Sequence, residues 1–485
     1  MGLMEQLTRK PITGKLILKL LKRQVYRKLR FTKEKVAEEQ ARSLSLKFEK
    51  MAGTTIGDKL NIKEATNLSE IGLTDYSFYE PFFANPDPSA FMHPIENYIR
   101  TRTSGTSAKE KWFMFPKSSI SRFWRETGIA IIMTIFNDGE GIKFEYGDVC
   151  FINVAPRPFL GGYILPLADK TSSGLVTITP DMNLPYQEKI DYFINNYERI
   201  DGAVLTASSL ISQIIPKLKE KISLKGVLTL DSPIAQVYED EITEFCGTPP
   251  KTLYATTETF GCTVPSVQYP LAFFFDWRRG IFEFHPFEKG RCRPDTLIDI
   301  RQVKTNHVYQ PVFTSLESEI TRYVLPDLLK CIAESDDALN IETPVFMFQQ
   351  RHENTVSIQN FTRISENELL TAFRKAAINI SEFTARTEVH NGLEYMKIII
   401  EENGIKREEF INRLDKSLGN LDKDYLDLTK FFNYVPIKVE FVPKGTFLRY
   451  TNDQPSSWGK IDRINMQEEK FSFFLEIAEK VKGTR

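Results

Sequence analysis

The sequence predicts an α/β protein built as a large multi-layer N-terminal domain followed by a small α+β domain, and three observations carry that expectation. Apolar runs bounded by turns, such as Asp148 to Val154 and Gly226 to Leu230, alternate with helical patterns such as Tyr186 to Ile200, where Ile190, Phe193, Ile194 and Tyr197 share one face. The character changes near residue 345, from long alternation to a short run of strands and helices. At 485 residues, the chain exceeds what a single core serves. The expected division is residues 1–347 and 348–485, with mostly parallel sheets in the first and ligands at their carboxyl ends.

Taken in order, residues 12 to 50 read as helix, with Leu16, Leu20, Val25 and Leu29 near helical spacing among Lys15, Lys19, Lys22, Arg23, Arg27, Lys28 and Arg30. Such a helix packs on the body with its charges solvated, the reading preferred here, or lies on an anionic membrane. Pro81, Pro86, Pro88 and Pro94 imply an extended arm from Phe78 to His93. The arm leads into Thr103-Ser104-Gly105-Thr106-Ser107-Ala108-Lys109-Glu110-Lys111. Small and hydroxyl side chains let backbone N–H groups point inward, so this loop suits an anion as well as it suits a polar turn. Ser118 to Phe136 is expected to be helical, and a loop before a helix is where phosphates bind.

Two strand ends are rich in small and polar groups. Leu230-Asp231-Ser232-Pro233 stops one strand and enters a helix. Tyr254-Ala255-Thr256-Thr257-Glu258 follows Lys251 to Leu253 and offers a ring, two hydroxyls and a carboxylate. Strands Gly280 to Phe284 and Val308 to Phe313 precede Arg322-Tyr323-Val324-Leu325-Pro326-Asp327, where the proline is expected to end a strand and expose Asp327 at a turn. In the second domain come strand Val345 to Phe348, turn Arg351 to Asn354 and strand Thr355 to Phe361. A helix then opens with Ser365 and Glu368 and buries Leu369, Leu370, Phe373, Ala377 and Ile380. Strand Leu393 to Ile400, helix Lys406 to Leu418, strand Ile437 to Val442 and a polar Gly459-Lys460 complete it.

Composition narrows the class. With 41% hydrophobic and 26% charged residues the chain is neither disordered nor fibrous, and a net charge of -1 gives no whole-chain attraction to nucleic acid. The five cysteines form no CxxC pair and read as reduced thiols, which with the lack of a signal-like N-terminus points to the cytoplasm. The five histidines are scattered and suggest neither a metal centre nor a triad.

The order of these segments resembles the adenylate-forming superfamily of acyl-CoA synthetases, peptide-synthetase adenylation domains and luciferases. Within it the chain is most similar to the Gretchen Hagen acyl-acid amido synthetases, the auxin-conjugating family. Tyr254-Ala255-Thr256-Thr257-Glu258 resembles that family's Tyr-Ala-Ser-Ser-Glu, and Phe282-Glu283-Phe284-His285-Pro286 its Phe-Glu-Phe-x-Pro. Thr55 with Gly57, Glu382-Phe383-Thr384-Ala385, Tyr395 and Gly445-Thr446-Phe447 also match, so the resemblance runs from Thr55 to Arg463. Ala108, Glu110, Pro326 and Gln350 depart from the pattern.

The resemblance implies an ATP-dependent ligase that makes an acyl-adenylate from a small carboxylic acid and passes the acyl group to an amine or amino acid. A thioester with coenzyme A is the alternative product, and a non-catalytic nucleotide-binding scaffold a further one. By the same resemblance Ser104, Gly105, Thr106, Ser107 and Lys111 hold the β- and γ-phosphates, Thr257 the α-phosphate and Glu258 a Mg2+ ion. Tyr254 and Ala255, with Ser232 and Pro233, line the adenine pocket, while Asp327 and Arg351 contact ribose or phosphate. Lys460 reaches the reacting carboxylate from a small domain that turns about Phe348 to Glu353. Phe123, Trp124 and Tyr163 fall where the acyl pocket lies, although apolar residues there also suit plain core.

Overall fold

The computed structural model describes residues 7–30, 32–63, 67–103, 111–172, 174–218, 220–230, 232–288, 291–292, 296–351, 355–358, 362–390, 393–432, 434–453 and 461–483. Expectations for Ser104, Gly105, Thr106, Ser107 and Lys460 therefore lie outside the described residues, as does the side chain of Arg351.

The strands fall into five groups that follow the chain. A hairpin, β1 (Tyr98–Arg102) and β2 (Trp112–Pro116), comes before a fully parallel sheet of β3 (Asp148–Ile152), β4 (Val176–Thr179), β5 (Gly202–Leu205), β6 (Gly226–Thr229) and β7 (Pro250–Thr252). Its order is β4-β3-β5-β6-β7, with helices such as Tyr186–Asn196 and Glu239–Cys246 in the connections. The apolar runs that announced these strands are buried on both faces, as in β5 and β6.

The next nine strands form one antiparallel sheet rather than a continuation of the parallel one. These are β8 (Thr263–Pro265), β9 (Phe273–Phe275), β10 (Gly280–Glu288), β11 (Arg291–Cys292), β12 (Ile298–Asp299), β13 (Val308–Ser315), β14 (Tyr323–Val324), β15 (Asp327–Ala333) and β16 (Val345–Arg351). The main path is β11-β10-β13-β15-β16-β9-β8, with antiparallel pairing throughout. The expectation of mostly parallel sheets is thus corrected for this half of the large unit. Its strands follow one another through short turns, leaving no room for crossover helices.

A hairpin, β17 (Thr355–Ile358) with β18 (Thr362–Ser365), and a sheet of β19 (Phe383–His390), β20 (Leu393–Glu401) and β21 (Ile437–Val442) follow. Helix Glu366–Lys375 carries the expected capping box at Ser365 and Glu368 and buries Leu369, Leu370 and Phe373. It ends before Ala377, which is exposed at φ 52° instead of buried.

Two N-terminal expectations change. Residues 12 to 50 form two helices, Pro11–Gln24 and Lys33–Met51, because Tyr26 and Leu29 dive into a core cluster with Ala130, Val264 and Phe274, and Thr32 then caps a new start. On the first helix Gly14 and Leu18 face the body, while Leu16 and Leu20 face out. The proline-rich stretch holds a helix, Tyr76–Ala84, with Pro81 inside it. Burial of Tyr79, Phe82 and Phe83 and the Asp75 cap outweigh the one backbone hydrogen bond that the proline removes.

Gly57 sits where a Cβ would come within 1.9 Å of the Met51 carbonyl oxygen, so the short helix Thr55–Lys59 can follow the long one only with glycine there. All five cysteines are free, and burial pushes the Cys246 and Cys262 thiols up to about 12. None of the described helices is long and apolar enough to cross a membrane.

Lys47 of helix Lys33–Met51 is enclosed against the antiparallel sheet and donates to the carbonyls of Ser315 (2.8 Å) and Ile320 (2.7 Å). Burial pushes its ammonium down to about 7, against 10.5 when solvated. Between those values the unfolded chain holds the extra proton, so this group makes unfolding harder as pH rises. Compared with Lys47→Met, the wild type is expected to gain stability between about pH 7 and about pH 9, by up to about 1.4 kcal/mol per pH unit. Urea unfolding of both proteins across that range checks the slope, and a wild type that does not gain stability relative to Lys47→Met as pH rises excludes a depressed ammonium.

Candidate nucleotide and acyl-binding site

The carboxyl ends of β6 and β7 lie side by side, because Val227 to Thr229 pair in parallel with Pro250 to Thr252. Helix Ser232–Val237 begins beyond β6, and the Tyr254–Glu258 turn begins beyond β7. A hydrogen bond of 2.9 Å between the Ser232 and Thr252 hydroxyls ties the two exits together, and Thr252 also donates to Thr229 O (3.1 Å). Pro233 is part-exposed beside it.

Tyr254 joins this parallel sheet to the antiparallel one. Its ring is 5% exposed, lies flat on Phe273 at 5.6 Å and 15°, and meets the edge of Phe275. Its hydroxyl donates to Asp327 Oδ2 at 2.6 Å. Asp327 opens β15 and is 9% exposed, which corrects the expectation of an exposed turn: the neighbouring strand β16 covers it. The register places Asp327 opposite Arg351, so two residues 24 apart in sequence meet across one strand pair.

The remainder of the turn stays open. Ala255 is exposed, and Thr256, Thr257 and Glu258 are part-exposed. Thr256 and Thr259 share a hydroxyl contact of 3.0 Å, and Phe260 takes φ 53°, which curls the turn back toward β8. Burial, reinforced by the charge of Glu258, pushes the Tyr323 hydroxyl far above its usual range. Glu258 and Tyr323 are therefore neighbours within one electrostatic environment.

The same tyrosine touches the hydroxyl-rich loop's base. Phe113 of β2 packs edge-on against Tyr323 at 6.3 Å and against Tyr76 at 5.4 Å, and the Lys111 ammonium lies 5.3 Å from the Tyr76 ring centroid. Thr103 N donates to Lys111 O at 3.0 Å, closing the ends of the loop that joins β1 to β2. Lys111 is thus fixed on the Glu258 side of the molecule.

Phe123 and Trp124 end the helix Lys117–Phe123 and start a π-helical turn, Trp124–Gly128. Phe123 is buried against Phe260 (5.7 Å) and the Arg279 guanidinium (5.5 Å), so it supports the Glu258 turn from beneath. Trp124 and Tyr163 are part-exposed, and their helices pack against each other. Tyr163 donates to Arg100 O at 3.0 Å under the Arg157 guanidinium. Gly162 is pinned by backbone, since a Cβ would stand 2.2 Å from Arg157 N.

Several residues escaped the sequence reading. Glu283 grips Arg322 on two nitrogens, at 3.0 and 3.1 Å, and so links the Phe-Glu-Phe and Arg-Tyr motifs. Gln236 donates to Phe348 O (2.7 Å) and accepts from Asn367 (3.0 Å), joining the helix after Ser232 to the C-terminal unit. Arg463 is held by Glu382 (2.8 Å to Oε2) and Glu366 (2.9 Å), and Thr384 donates to Asp462 O at 2.8 Å. The Glu-Phe-Thr-Ala segment therefore fixes the chain directly after Lys460. These links join residues 39 to 131 apart, which periodicity cannot report.

Among the described residues no group of three or more His, Cys, Asp or Glu side chains is arranged to hold a metal ion.

Comparison with known proteins gives the fold. No family model and no curated sequence matches the chain. GH3.15 acyl acid amido synthetase, solved in complex with 2,4-DB, superposes at a TM-score of 0.70 and 16% identity over 97% of this chain and 96% of that one. A 2-hydroxyisobutyryl-CoA ligase in the postadenylation state with 2-HIB-AMP superposes at 0.61 and 13% identity over 91% of each chain. The same ligase in complex with 2-HIB-AMP and CoA gives 0.51 and 14% identity over 94% of each. The chain shares the α/β fold of these proteins over nearly its entire length.

Tyr254→Phe removes the 2.6 Å bond to Asp327 and is expected to cost about 1–3 kcal/mol of stability, since a buried carboxylate loses a donor. Urea unfolding measures it, and a change under about 0.5 kcal/mol would mean the bond carries no weight.

Proposed function

We propose that the protein is an ATP-dependent ligase that activates a small carboxylic acid as an acyl-adenylate and transfers the acyl group to an amine or amino acid. The observation that carries this reading is the meeting of Ser232, Tyr254 and Asp327 at the junction of two sheets, within a fold that matches an acyl acid amido synthetase over nearly the entire chain.

In the first step a carboxylate oxygen attacks the α-phosphorus of ATP, the bond to the pyrophosphate oxygen breaks, and pyrophosphate leaves. Ser104, Gly105, Thr106 and Ser107 contribute hydroxyls and amides to the β- and γ-phosphates, and Lys111 adds positive charge at the loop's base. Thr257 donates to the α-phosphate. Glu258 would supply an oxygen ligand to Mg2+, and the ion would offset phosphate charge. Asp327 accepts from the ribose hydroxyls, Arg351 meets ribose or phosphate, and Ser232, Pro233, Tyr254 and Ala255 border the base.

Lys460 places its ammonium by the reacting carboxylate and α-phosphate, where negative charge gathers in the transition state. It belongs to the proposed lid, residues 348–485, which turns about Phe348 to Glu353. In the second step the amine nitrogen attacks the acyl carbon, the bond to AMP breaks and the nitrogen loses a proton. Phe123, Trp124 and Tyr163 border the acyl side. The superposition with a CoA-bound ligase supports thioester formation as the second reading.

Carboxylate-dependent pyrophosphate release from Mg·ATP, across aliphatic, aryl and indole acids, tests the first step. One acid is expected to stimulate release, and Lys460→Ala and Glu258→Ala to lower it by about a hundredfold or more. ATP binding without release for any acid would favour the scaffold reading instead. Product analysis with amino acids and with coenzyme A tests the second step: an amide supports the proposal, and a thioester alone replaces it with the CoA-ligase reading.

A further inference from the structure

Helix Pro11–Gln24 is fastened by one face and bare on the other. Gly14 sits against Tyr146, Leu18 is buried, and Lys22 Nζ donates to Ile142 O at 2.9 Å. On the outward face Ile12, Leu16 and Leu20 are 86%, 57% and 48% exposed. Their spacing of four residues aligns them along successive turns as one apolar stripe. Lys15, Lys19 and Arg23, all exposed, run beside the stripe at the same spacing.

Charge singles out this segment. Residues 7–30 hold nine lysines and arginines and no aspartate or glutamate, in a chain whose net charge is -1. Lysine stems can lie along an apolar stripe while their ammonium groups reach out to anions. A second copy of the chain would set this cationic face against itself. A soluble acidic partner would use the lysines but leave the stripe in water.

We propose that an anionic lipid bilayer covers this face, with Ile12, Leu16 and Leu20 entering the boundary between headgroups and acyl chains and Lys15, Lys19 and Arg23 meeting lipid phosphates and carboxylates. At 14 residues the helix lies in the interface and does not cross it. Its inner face stays attached to the body, so the folded enzyme docks as a whole. This adds a membrane contact to a helix expected to pack on the body with its charges solvated, and it is independent of which acid the protein activates.

The test floats full-length protein with phosphatidylcholine vesicles, with or without about 30% phosphatidylserine, at about 0.15 M salt. The wild type is expected to float with the anionic vesicles only. Binding is expected to fall at least about tenfold in Ile12→Ser/Leu16→Ser/Leu20→Ser and in Lys15→Glu/Lys19→Glu/Arg23→Glu. Because every altered side chain is exposed, both variants should keep the wild-type melting temperature, and single Leu16→Glu serves if either does not. The proposal is overturned if the wild type ignores anionic vesicles, if neutral vesicles bind equally, or if the serine variant binds undiminished. A wild-type dimer that fails to float and that the serine variant splits would likewise overturn it, in favour of self-association.

Discussion

Arg322 is the constraint on which the arrangement of the site rests. It is 8% exposed at φ 46°, with its guanidinium gripped by Glu283 and donating to the Ser69 and Ile71 carbonyls. A buried guanidinium must spend its donors on partners, so the backbone at residue 322 has little freedom to move. Its own backbone pairs with Thr74, at 2.8 Å. The N-terminal segment, β10 and the chain entering β14 are locked at one point. Tyr323 and Asp327 follow directly, one beside Glu258 and the other under Tyr254.

From that lock the two sheets are brought to a single place. The parallel sheet supplies strand ends, where backbone groups and helix starts are free to face a ligand. The antiparallel sheet supplies a rigid wall, with Asp327 set against Arg351 by strand register. Tyr254 spans the gap, and Phe273 beneath its ring keeps the hydroxyl aimed. Gln236 and Arg374 bond the C-terminal unit to the large one, and Ile234 and Val237 share a buried apolar cluster with Leu369 and Leu370, while the chain after Lys460 is fixed to its own unit by Arg463.

Legibility followed the range of each interaction. Strands β3, β6 and β21 and the Ser365 cap are written in local pattern, and the structure has them within a residue or two. Pro81 misled because proline reports a local cost, whereas three aromatic side chains buried from that helix report to the whole core. Leu16 and Leu20 misled for the opposite reason: helical spacing identifies a stripe without saying which of two faces meets the body. The antiparallel sheet was missed as such because strand direction depends on the length and path of connections, which single strands do not encode. Residues 104–107 and 460 lie outside the described residues, so their roles rest on resemblance and on the neighbours Lys111 and Ile461–Arg463.

The sequence by itself determined the α/β class and the order of the polar strand-end segments, since both depend on periodicity and on residue types within a few positions of one another. Only the tertiary structure decided that Ser232 answers Thr252, that Tyr254 holds Asp327, that Glu283 holds Arg322, and that the N-terminal helix turns Leu16 and Leu20 outward. Each of those is a pairing of distant segments, selected by where buried polar groups can find partners and where apolar surface can be covered. That selection is made by the assembled core, and no stretch of chain carries it alone.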